Sequence, residues 1–315
     1  MKKLIGLSNY GDLDTRYGDC ALLYDDDELT VYDCGHERHA DTVIDFLKGN
    51  RSIIDINLVF SHNDCDHTDG AFKLMDWLYN NRNRFSNVNV YTQHHDAYSE
   101  EVDKYLDDDR RKVSTIEKAI NREFSNILKI RELAEQFGFK NINAEKGVKI
   151  GKDIQIAGPL KEKLIETIAC AVSADEPDKI GEGNAAESVM NAASIQISVT
   201  LEDDKKLLLC GDASPDLIVD IKNYDYIQLP HHGQKEDADS ILEELGGVLS
   251  YNKVFYISDN TGSAENSGGS KETTTTLIRK RLCYHNTKDK KVMLPDGYFS
   301  NAGGSERKLY AVDIR

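Results

Sequence analysis

The first 60 residues alternate short apolar runs with polar turns, a pattern typical of β-strands. Residues 21–24 and 29–32 flank an acidic turn and predict a β-hairpin. Apolar positions at helical spacing in residues 39–50 predict a short helix. The apolar run at 56–61 predicts a buried strand that follows it.

The second half of the chain repeats this arrangement. It predicts a hairpin at 194–213 and further strands within 225–233 and 253–258. The chain thus consists of two halves, each a run of strands followed by helix, which favours an α/β fold. Its 315 residues are enough for one large domain or two small ones.

Residues from about 97 to 145 interrupt the strand pattern with helical periodicity. Ser114 and Glu117 have the spacing of a capping box. The apolar residues that follow mark one face of a single long helix: Ile116, Ile120, Phe124, Ile127 and Phe137. We therefore predict a helical insertion over an α/β core. The polar stretch at about 172–193 has no clear period and predicts a long loop.

Composition narrows the class of protein. Lys and Arg total 39 against 55 Asp and Glu, a formal charge of −16, which repels nucleic acids and membrane surfaces at long range. No apolar run approaches the roughly 18 to 20 residues of a membrane span, and the N-terminus lacks the apolar core of a signal peptide. We expect a cytoplasmic protein whose six irregularly spaced cysteines are reduced thiols.

The stretch SHNDCDHTDG, residues 61–70, places two histidines and several acids directly after a predicted buried strand. Imidazole nitrogens and carboxylate oxygens are ligands of zinc, manganese and iron. Two other predicted strands end in GD, with Asp212, and in HHG, with His231 and His232. Strand ends that carry His and Asp predict one metal-binding cleft.

The order HxDxDH, GD and HHG resembles the metallo-β-lactamase superfamily. Together with YGDCALLY, LTVYDCG and NAASIQISV, it is most similar to the hydrolase domain at the C-terminus of bacterial competence DNA-uptake proteins and to the free-standing relatives of that domain. The usual motif of the superfamily is HxHxDH, and here Asp64 stands at its second histidine. The resemblance covers nearly the whole chain, except the 97–145 insertion and the 172–193 loop.

This resemblance implies a single α/β domain over residues 1–315, a four-layer αββα sandwich with a metal site at one sheet edge. Its implied metal ligands form two groups bridged by one carboxylate. These are His62 and Asp64 in the first group, Asp66, His67 and His232 (or His231) in the second, and Asp212 as the bridge. His232 is favoured over His231, and the sequence leaves that choice open.

Asn191 stands where a further histidine would complete the first group. That group is therefore rich in oxygen, which favours Mn²⁺ over Zn²⁺, or it is weak and a single ion acts alone. In the same comparison Asp33 supports a ligand histidine from behind. Asp19 lines the site or serves only as a turn residue, and His36 is a candidate for substrate contact.

The chemistry implied is hydrolysis by metal-activated water, with Asp66 orienting that water and Asp212 joining the two groups. We expect one or two divalent ions, Zn²⁺ or Mn²⁺, and a phosphoester or phosphodiester substrate such as a nucleotide or a nucleic-acid end. Two alternatives remain open. One is hydrolysis of a carbon ester, thioester or lactone. The other is a non-catalytic protein that uses metal for stability and binds a partner.

Overall fold

The computed structural model describes residues 3–7, 15, 17–106, 113–173, 189–201, 204–259, 270–287 and 292–293. Two mixed β-sheets face each other, and helices cover the outer face of each. The first sheet has the strand order β13-β1-β2-β3-β4-β5-β6 and the second has the order β12-β11-β10-β9-β8-β7.

The first sheet combines an antiparallel half with a parallel half. Strands β1 to β3 pair antiparallel, and β3 to β6 pair parallel. Its strands are β1 (Lys3–Gly6), β2 (Ala21–Asp25), β3 (Glu28–Tyr32), β4 (Asp55–Val59), β5 (Asn87–Thr92), β6 (Lys140–Asn143) and β13 (Val292–Met293). The predicted hairpin is β2 and β3, with Ala21 opposite Tyr32.

The second sheet has the same construction. Strands β7 to β9 pair antiparallel, and β9 to β12 pair parallel. Its strands are β7 (Ile154–Gly158), β8 (Gln196–Thr200), β9 (Lys206–Leu209), β10 (Tyr226–Gln228), β11 (Val254–Ile257) and β12 (Cys283–Asn286). The predicted second hairpin is β8 and β9, with Ile197 opposite Leu209.

Helices complete the outer layers. They are α1 (Glu37–Gly49), α2 (Cys65–Thr68), α3 (Ala71–Asn80), α4 (Ser99–Leu106), α5 (Val113–Glu123), α6 (Ser125–Phe137), α7 (Lys161–Ser173), α8 (Val189–Ala192), α9 (Lys235–Ser250) and α10 (Ser270–Arg279). Among the described residues, no helix combines the length and the apolar character needed to cross a membrane.

Alternation along the strands separates three buried layers of apolar side chains. In β9, Leu208 faces the α9 and α10 side, whereas Leu207 and Leu209 pack between the sheets. In β3, Val31 faces α1, α3 and α6, whereas Tyr32 points inward and donates a hydrogen bond of 2.6 Å to the carbonyl of Ile195. The period of two places apolar groups on both faces of each sheet. The predicted four-layer αββα fold is confirmed.

The predicted long helix between residues 116 and 137 is wrong in one respect, because it is two helices. Phe124, with φ −102° and ψ 37°, interrupts it between α5 and α6. Helix α5 packs with α4 and α7, and we call these three helices (α4, α5 and α7) the lateral helices. Helix α6 instead packs on the first sheet. The end of the predicted insertion is β6, which pairs with β5. Of the predicted loop at 172–193, residues 174–188 lie outside the described part of the chain.

Candidate functional site

The parallel strands of both sheets end at a shared edge, and the polar segments highlighted by the sequence lie there. His62 and its neighbours follow β4, and Asp33 follows β3. Asp212 follows β9, and the HHG turn follows β10. Because β2 and β8 run antiparallel to these strands, the residues that precede them reach the same edge. Segments distant in sequence therefore meet in one cluster.

Asp212 lies at the centre of this cluster and is buried. Its Oδ1 is 3.4 Å from Nε2 of His67, and its Oδ2 is 3.7 Å from Nε2 of His231 and 3.6 Å from Nε2 of His232. Gly211, with a φ of +53°, precedes it, and a Cβ there would lie 2.8 Å from Ser61 Oγ. The glycine allows the turn after β9 to approach the end of β4.

His67 is held from behind by Asp33. The Asp33 carboxylate lies 2.8 Å from Nδ1 of His67, and both groups are fully buried. The same carboxylate accepts hydrogen bonds of 2.7 Å from the backbone N–H and from the hydroxyl of Ser61. These contacts fix the imidazole with Nε2 toward Asp212, the arrangement that orients metal-binding histidines in other sites.

His232 has an equivalent arrangement. Its Nδ1 lies 2.9 Å from Oδ1 of Asp19, while its Nε2 lies 3.2 Å from Oδ2 of Asp66. Gln228 donates a hydrogen bond of 2.7 Å to the second oxygen of Asp19. Asp19 is therefore not a simple turn residue, since it is buried and holds His232 from the side opposite Asp66.

His231 is the third ring of this kind. Its Nδ1 lies 3.2 Å from Asp237 in the first turn of α9, and its Nε2 lies 3.1 Å from the side-chain nitrogen of Asn191. Both His231 and His232 have positive φ, 52° and 53°. Two consecutive non-glycine residues in the left-handed region are strained, and the contacts of both rings compensate for that strain.

His62 and Asp64 form the other half of the cluster. Nδ1 of His62 lies 3.0 Å from Ser61 Oγ and 3.2 Å from Ser194 Oγ. Its Nε2 lies 3.8 Å from Oδ2 of Asp64. The Asp64 and Asp66 side chains are 30% and 35% exposed, whereas the rings of His62, His67 and His232 are buried. Solvent therefore reaches the cluster over these two carboxylates.

The donor set fits a cation. Among the described residues, three buried site atoms lack a hydrogen-bond partner of good geometry: His62 Nε2, His67 Nε2 and Asp212 Oδ1. Buried polar atoms are normally satisfied, so unsatisfied ones that face each other indicate a missing partner. Ligand atoms of Asp19, His67, Asp212 and His232 lie within 4.8 Å of one another. A divalent ion at this position would satisfy the three unpartnered atoms of His62, His67 and Asp212.

The cluster also shifts its own pKa values. Burial alone would lower the pKa of His67, but the carboxylates of Asp212 and Asp33 raise it well above its ordinary value. Burial would likewise lower the pKa of His232, but the carboxylates of Asp212 and Asp19 raise it well above its ordinary value. Burial would raise the pKa of Asp212, but His232 and His67 hold it well below its usual range. In the absence of metal, protons on the histidines balance the carboxylates.

This balance predicts how the metal-free site responds to pH. The lowered carboxylate pKa adds stability that is present above an unfolded value of about 3.9 and is lost as pH falls through the folded value. The raised histidine pKa adds stability that is present below an unfolded value of about 6.5 and is lost as pH rises through the folded value. Both contributions are complete only between about pH 4 and pH 6.5.

A difference measurement isolates this effect. In the presence of chelator, the loss of unfolding free energy caused by His67→Gln should be larger at about pH 6 than at about pH 9, because the buried imidazolium is lost as pH rises. Urea denaturation of both proteins at the two pH values measures it. An equal loss at both pH values would contradict a protonated His67.

The structure brings together every predicted ligand on the shared edge, with Asn191 beside His231 and Asp33 beside His67. His36 is different, since it caps α1 by accepting a hydrogen bond of 3.0 Å from the Arg38 N–H. Its ring also packs edge-on against Tyr17, with ring centroids 4.9 Å apart. Sequence reasoning missed four supporting side chains: Ser61, Ser194, Gln228 and Asp237.

One of these four had a signal in the sequence. Asp237 follows the HHG turn at the start of a helix, where a carboxylate is favoured by the helix dipole. Ser194 and Gln228 had none, because their role depends on which strands are neighbours. Ser61 precedes His62 directly, but its contact with Asp33 depends on the pairing of β3 with β4.

Comparisons with known proteins extend only to structural likeness. No protein-family model and no curated protein sequence matches the chain. A candidate metallo-β-lactamase from Thermotoga maritima is 12% identical, covers 68% of this chain and 80% of its own, and has a TM-score of 0.34. A diphosphatase from the PhnP family is 11% identical, covers 96% and 99%, and has a TM-score of 0.48.

A protein of unknown function from Enterococcus faecalis is 12% identical, covers 90% of this chain and 76% of its own, and has a TM-score of 0.31. All three TM-scores lie below 0.5. The assignment of the fold therefore rests on the layers and strand order of this chain.

Proposed function

We propose that this chain is a metal-dependent hydrolase of phosphate esters, with phosphodiesters of nucleotides or nucleic-acid ends as the first substrates to test. The observation that carries the proposal is the set of unsatisfied atoms around one buried carboxylate, namely Nε2 of His62 and of His67 and Oδ1 of Asp212. Burying such atoms costs free energy, because each loses its hydration on folding, and a bound cation would offset that cost.

The proposed metal ligands would form two groups, one in each half of the cluster. The residues that would hold metal are His62 and Asp64 in one half, Asp66, His67 and His232 in the other, and Asp212 between them. A bound divalent ion supplies a Lewis acid that makes water nucleophilic near neutral pH. We place His232 ahead of His231 as a ligand, because its Nε2 faces both Asp66 and Asp212.

The side chains around the site would orient the attacking water and hold the ligand histidines in place. Asp66 is held on one oxygen by His232 and is 35% exposed, so it is placed to orient an attacking water at the solvent side. Burial would raise the pKa of Asp66, but His232 and His67 lower it, so the carboxylate is ionised and can accept a hydrogen bond from that water. Asp33, Asp19 and Asp237 keep the rings of three histidines in position.

A phosphate substrate agrees with the oxygen-rich half at His62 and Asp64. Carboxylate ligands favour hard ions such as Mn²⁺, which bind phosphoryl oxygens well. The resemblance to the hydrolase domain of competence proteins favours a nucleic acid. The net charge of −16 favours a smaller phosphodiester, or a partner that supplies a basic surface. Either one or two ions, Zn²⁺ or Mn²⁺, would satisfy the proposal.

The first experiment measures hydrolysis of a chromogenic phosphodiester by metal-stripped protein resupplied with Mn²⁺ or Zn²⁺. We expect turnover that requires the ion and falls roughly 100- to 10,000-fold in Asp66→Ala, because the water loses its orienting base. Asp69→Ala is the matched control, since Asp69 is an exposed acid on the same loop. It should change turnover by less than about threefold.

The remaining outcomes separate the alternatives. Metal binding without turnover of any phosphodiester would overturn the proposal. Turnover of a lactone or thioester panel under the same conditions would then assign the chain to carbon esters. A metal-dependent rise in melting temperature with no turnover at all would favour a partner-binding role.

A further inference from the structure

Residues 61–70, which carry four of the proposed ligands, are called the metal loop here. Asn63, between His62 and Asp64 in this loop, forms hydrogen bonds to the junction between α5 and α6. Its Oδ1 accepts hydrogen bonds from the backbone N–H groups of Asn126, at 2.9 Å, and Ile127, at 3.2 Å. Its Nδ2 donates a hydrogen bond of 3.1 Å to the carbonyl of Glu123. Asn63 is buried, so these bonds form away from solvent.

The return contacts come from Asn126. Its side-chain nitrogen donates a hydrogen bond of 2.9 Å to the backbone carbonyl of Asn63, and it lies 3.7 Å from the sulfur of Cys65. The two asparagines therefore bind each other in both directions. The loop that carries His62, Asp64 and Asp66 cannot shift without breaking several hydrogen bonds to the junction.

These bonds also explain why the helix is interrupted. The first amides of α6 have no intrahelical acceptor, and Asn63 satisfies two of them from a distant part of the chain. The ring of Phe124 leaves the helix path and stacks on His95, with centroids 3.7 Å apart. The interruption at the junction is thus stabilised by the metal loop itself.

The lateral helices also connect to the half of the site that contains His62 and Asp64, through Ala193 and Ser194. Their apolar cluster includes Ala193, next to Ser194, whose hydroxyl lies 3.2 Å from Nδ1 of His62. Gln93, at the end of β5, donates a hydrogen bond of 2.7 Å to the carbonyl of Ala193. His62 therefore has two neighbours that contact the lateral helices. Asn63 does so through Glu123 of α5, and Ser194 does so through the adjacent Ala193.

We propose that Asn63 is a positioning residue that couples occupancy of the His62 and Asp64 half-site to the order of the α5–α6 junction. The proposal rests on the metal site of the proposed function. Coupling of this kind is reciprocal, so a metal that orders the junction binds more tightly when the junction is formed. A helix cap without coupling would change stability and leave metal affinity unchanged.

The test measures two quantities in wild type and in Asn63→Ala, with Mn²⁺ or Zn²⁺ alone as the probe. The first is metal affinity by competition with a chelating dye. The second is hydrogen exchange of peptides covering residues 113–137, with and without metal. We expect Asn63→Ala to weaken metal binding about fivefold or more and to lose the metal-dependent protection of these peptides.

Two further variants make the interpretation specific. Asn126→Ala removes the return contacts without changing the metal loop, and the double variant should bind metal no more weakly than the weaker single variant. Asn50→Ala is the matched control, because Asn50 caps the end of α1 through Phe46 and lies outside the cluster. It should lower stability and leave metal affinity unchanged.

The outcomes distinguish this inference from the proposed function. Metal binding of equal affinity in wild type and Asn63→Ala would overturn the coupling and leave the hydrolase proposal intact. Metal binding with the predicted coupling but no phosphodiester turnover would overturn only the hydrolase proposal. Absence of metal binding in wild type would overturn both.

Discussion

Asp212→Asn should remove metal binding and hydrolysis together. Its carboxylate lies between 3.4 and 3.7 Å from the nearest ring nitrogens of three histidines, so the change removes the negative charge that faces all three rings. Groups that only orient a ligand are worth roughly 10- to 100-fold in metal affinity. For a carboxylate that would itself bind the ion we expect a loss of at least about 100-fold.

The same change should destabilise the metal-free protein. His67 and His232 have raised pKa values because of Asp212 and the carboxylates behind each ring. Loss of one partner from a buried ion-paired cluster costs roughly 3 to 5 kcal/mol. That loss should be largest between about pH 4 and pH 6.5, where Asp212 is ionised and both imidazoles are protonated in wild type.

Isothermal titration with Mn²⁺ and Zn²⁺ measures the first effect, and urea denaturation in chelator measures the second. Asp216→Asn is the control, because it makes the same chemical change at an exposed position four residues away. Unchanged metal affinity in Asp212→Asn would show that Asp212 is not a ligand, and the two-half metal centre would have to be abandoned.

Gly35→Ala should destabilise the fold through the metal loop. A Cβ at Gly35 would lie 1.8 Å from the backbone oxygen of Asp66, far inside contact distance. Gly18 also approaches this oxygen, and a Cβ there would lie 1.7 Å away. The Asp19 N–H donates a hydrogen bond of 2.9 Å to this oxygen. Two backbone segments therefore clamp the Asp66 carbonyl.

Position 35 is the better test of this clamp, because Gly18 has a φ of +69° and any side chain there is strained for a second reason. The obstructing atom at position 35 is backbone, so the loop must move. We expect a loss of roughly 3 kcal/mol or more in unfolding free energy. Metal affinity should fall as well, since Asp66 moves with its carbonyl.

Gly49→Ala is the matched control. Gly49 closes α1, and a Cβ there meets nothing within 4 Å. The change should be neutral or stabilise the protein by up to about 1 kcal/mol, because alanine favours the helix. Thermal and urea denaturation of both variants checks the pair. Equal stabilities would mean that the backbone at Asp66 yields easily and that the clamp has no role in the site.

The sequence by itself determined the fold class and the location of the candidate site. Apolar runs in β3, β4, β8 and β9 predict strands that are buried on both faces, which favours an α/β fold. The four-layer arrangement is what the resemblance carried by the HxDxDH, GD and HHG motifs implies. The clustering of His and Asp at strand ends follows from the same pattern, because parallel strands end at a common edge. The strands and their polar ends follow from local periodicity, whereas the layer arrangement follows from the resemblance of the motifs.

Only the tertiary structure decided which groups hold each other in place. The periodicity from Ile116 to Phe137 predicts one helix, yet Asn63 satisfies the amides at its interruption from about 60 residues away in the chain. The positions of Asp19 behind His232 and of Asp237 behind His231 depend on how β2 and α9 meet the HHG turn. Such contacts join segments that no local period relates, so they are decided by packing.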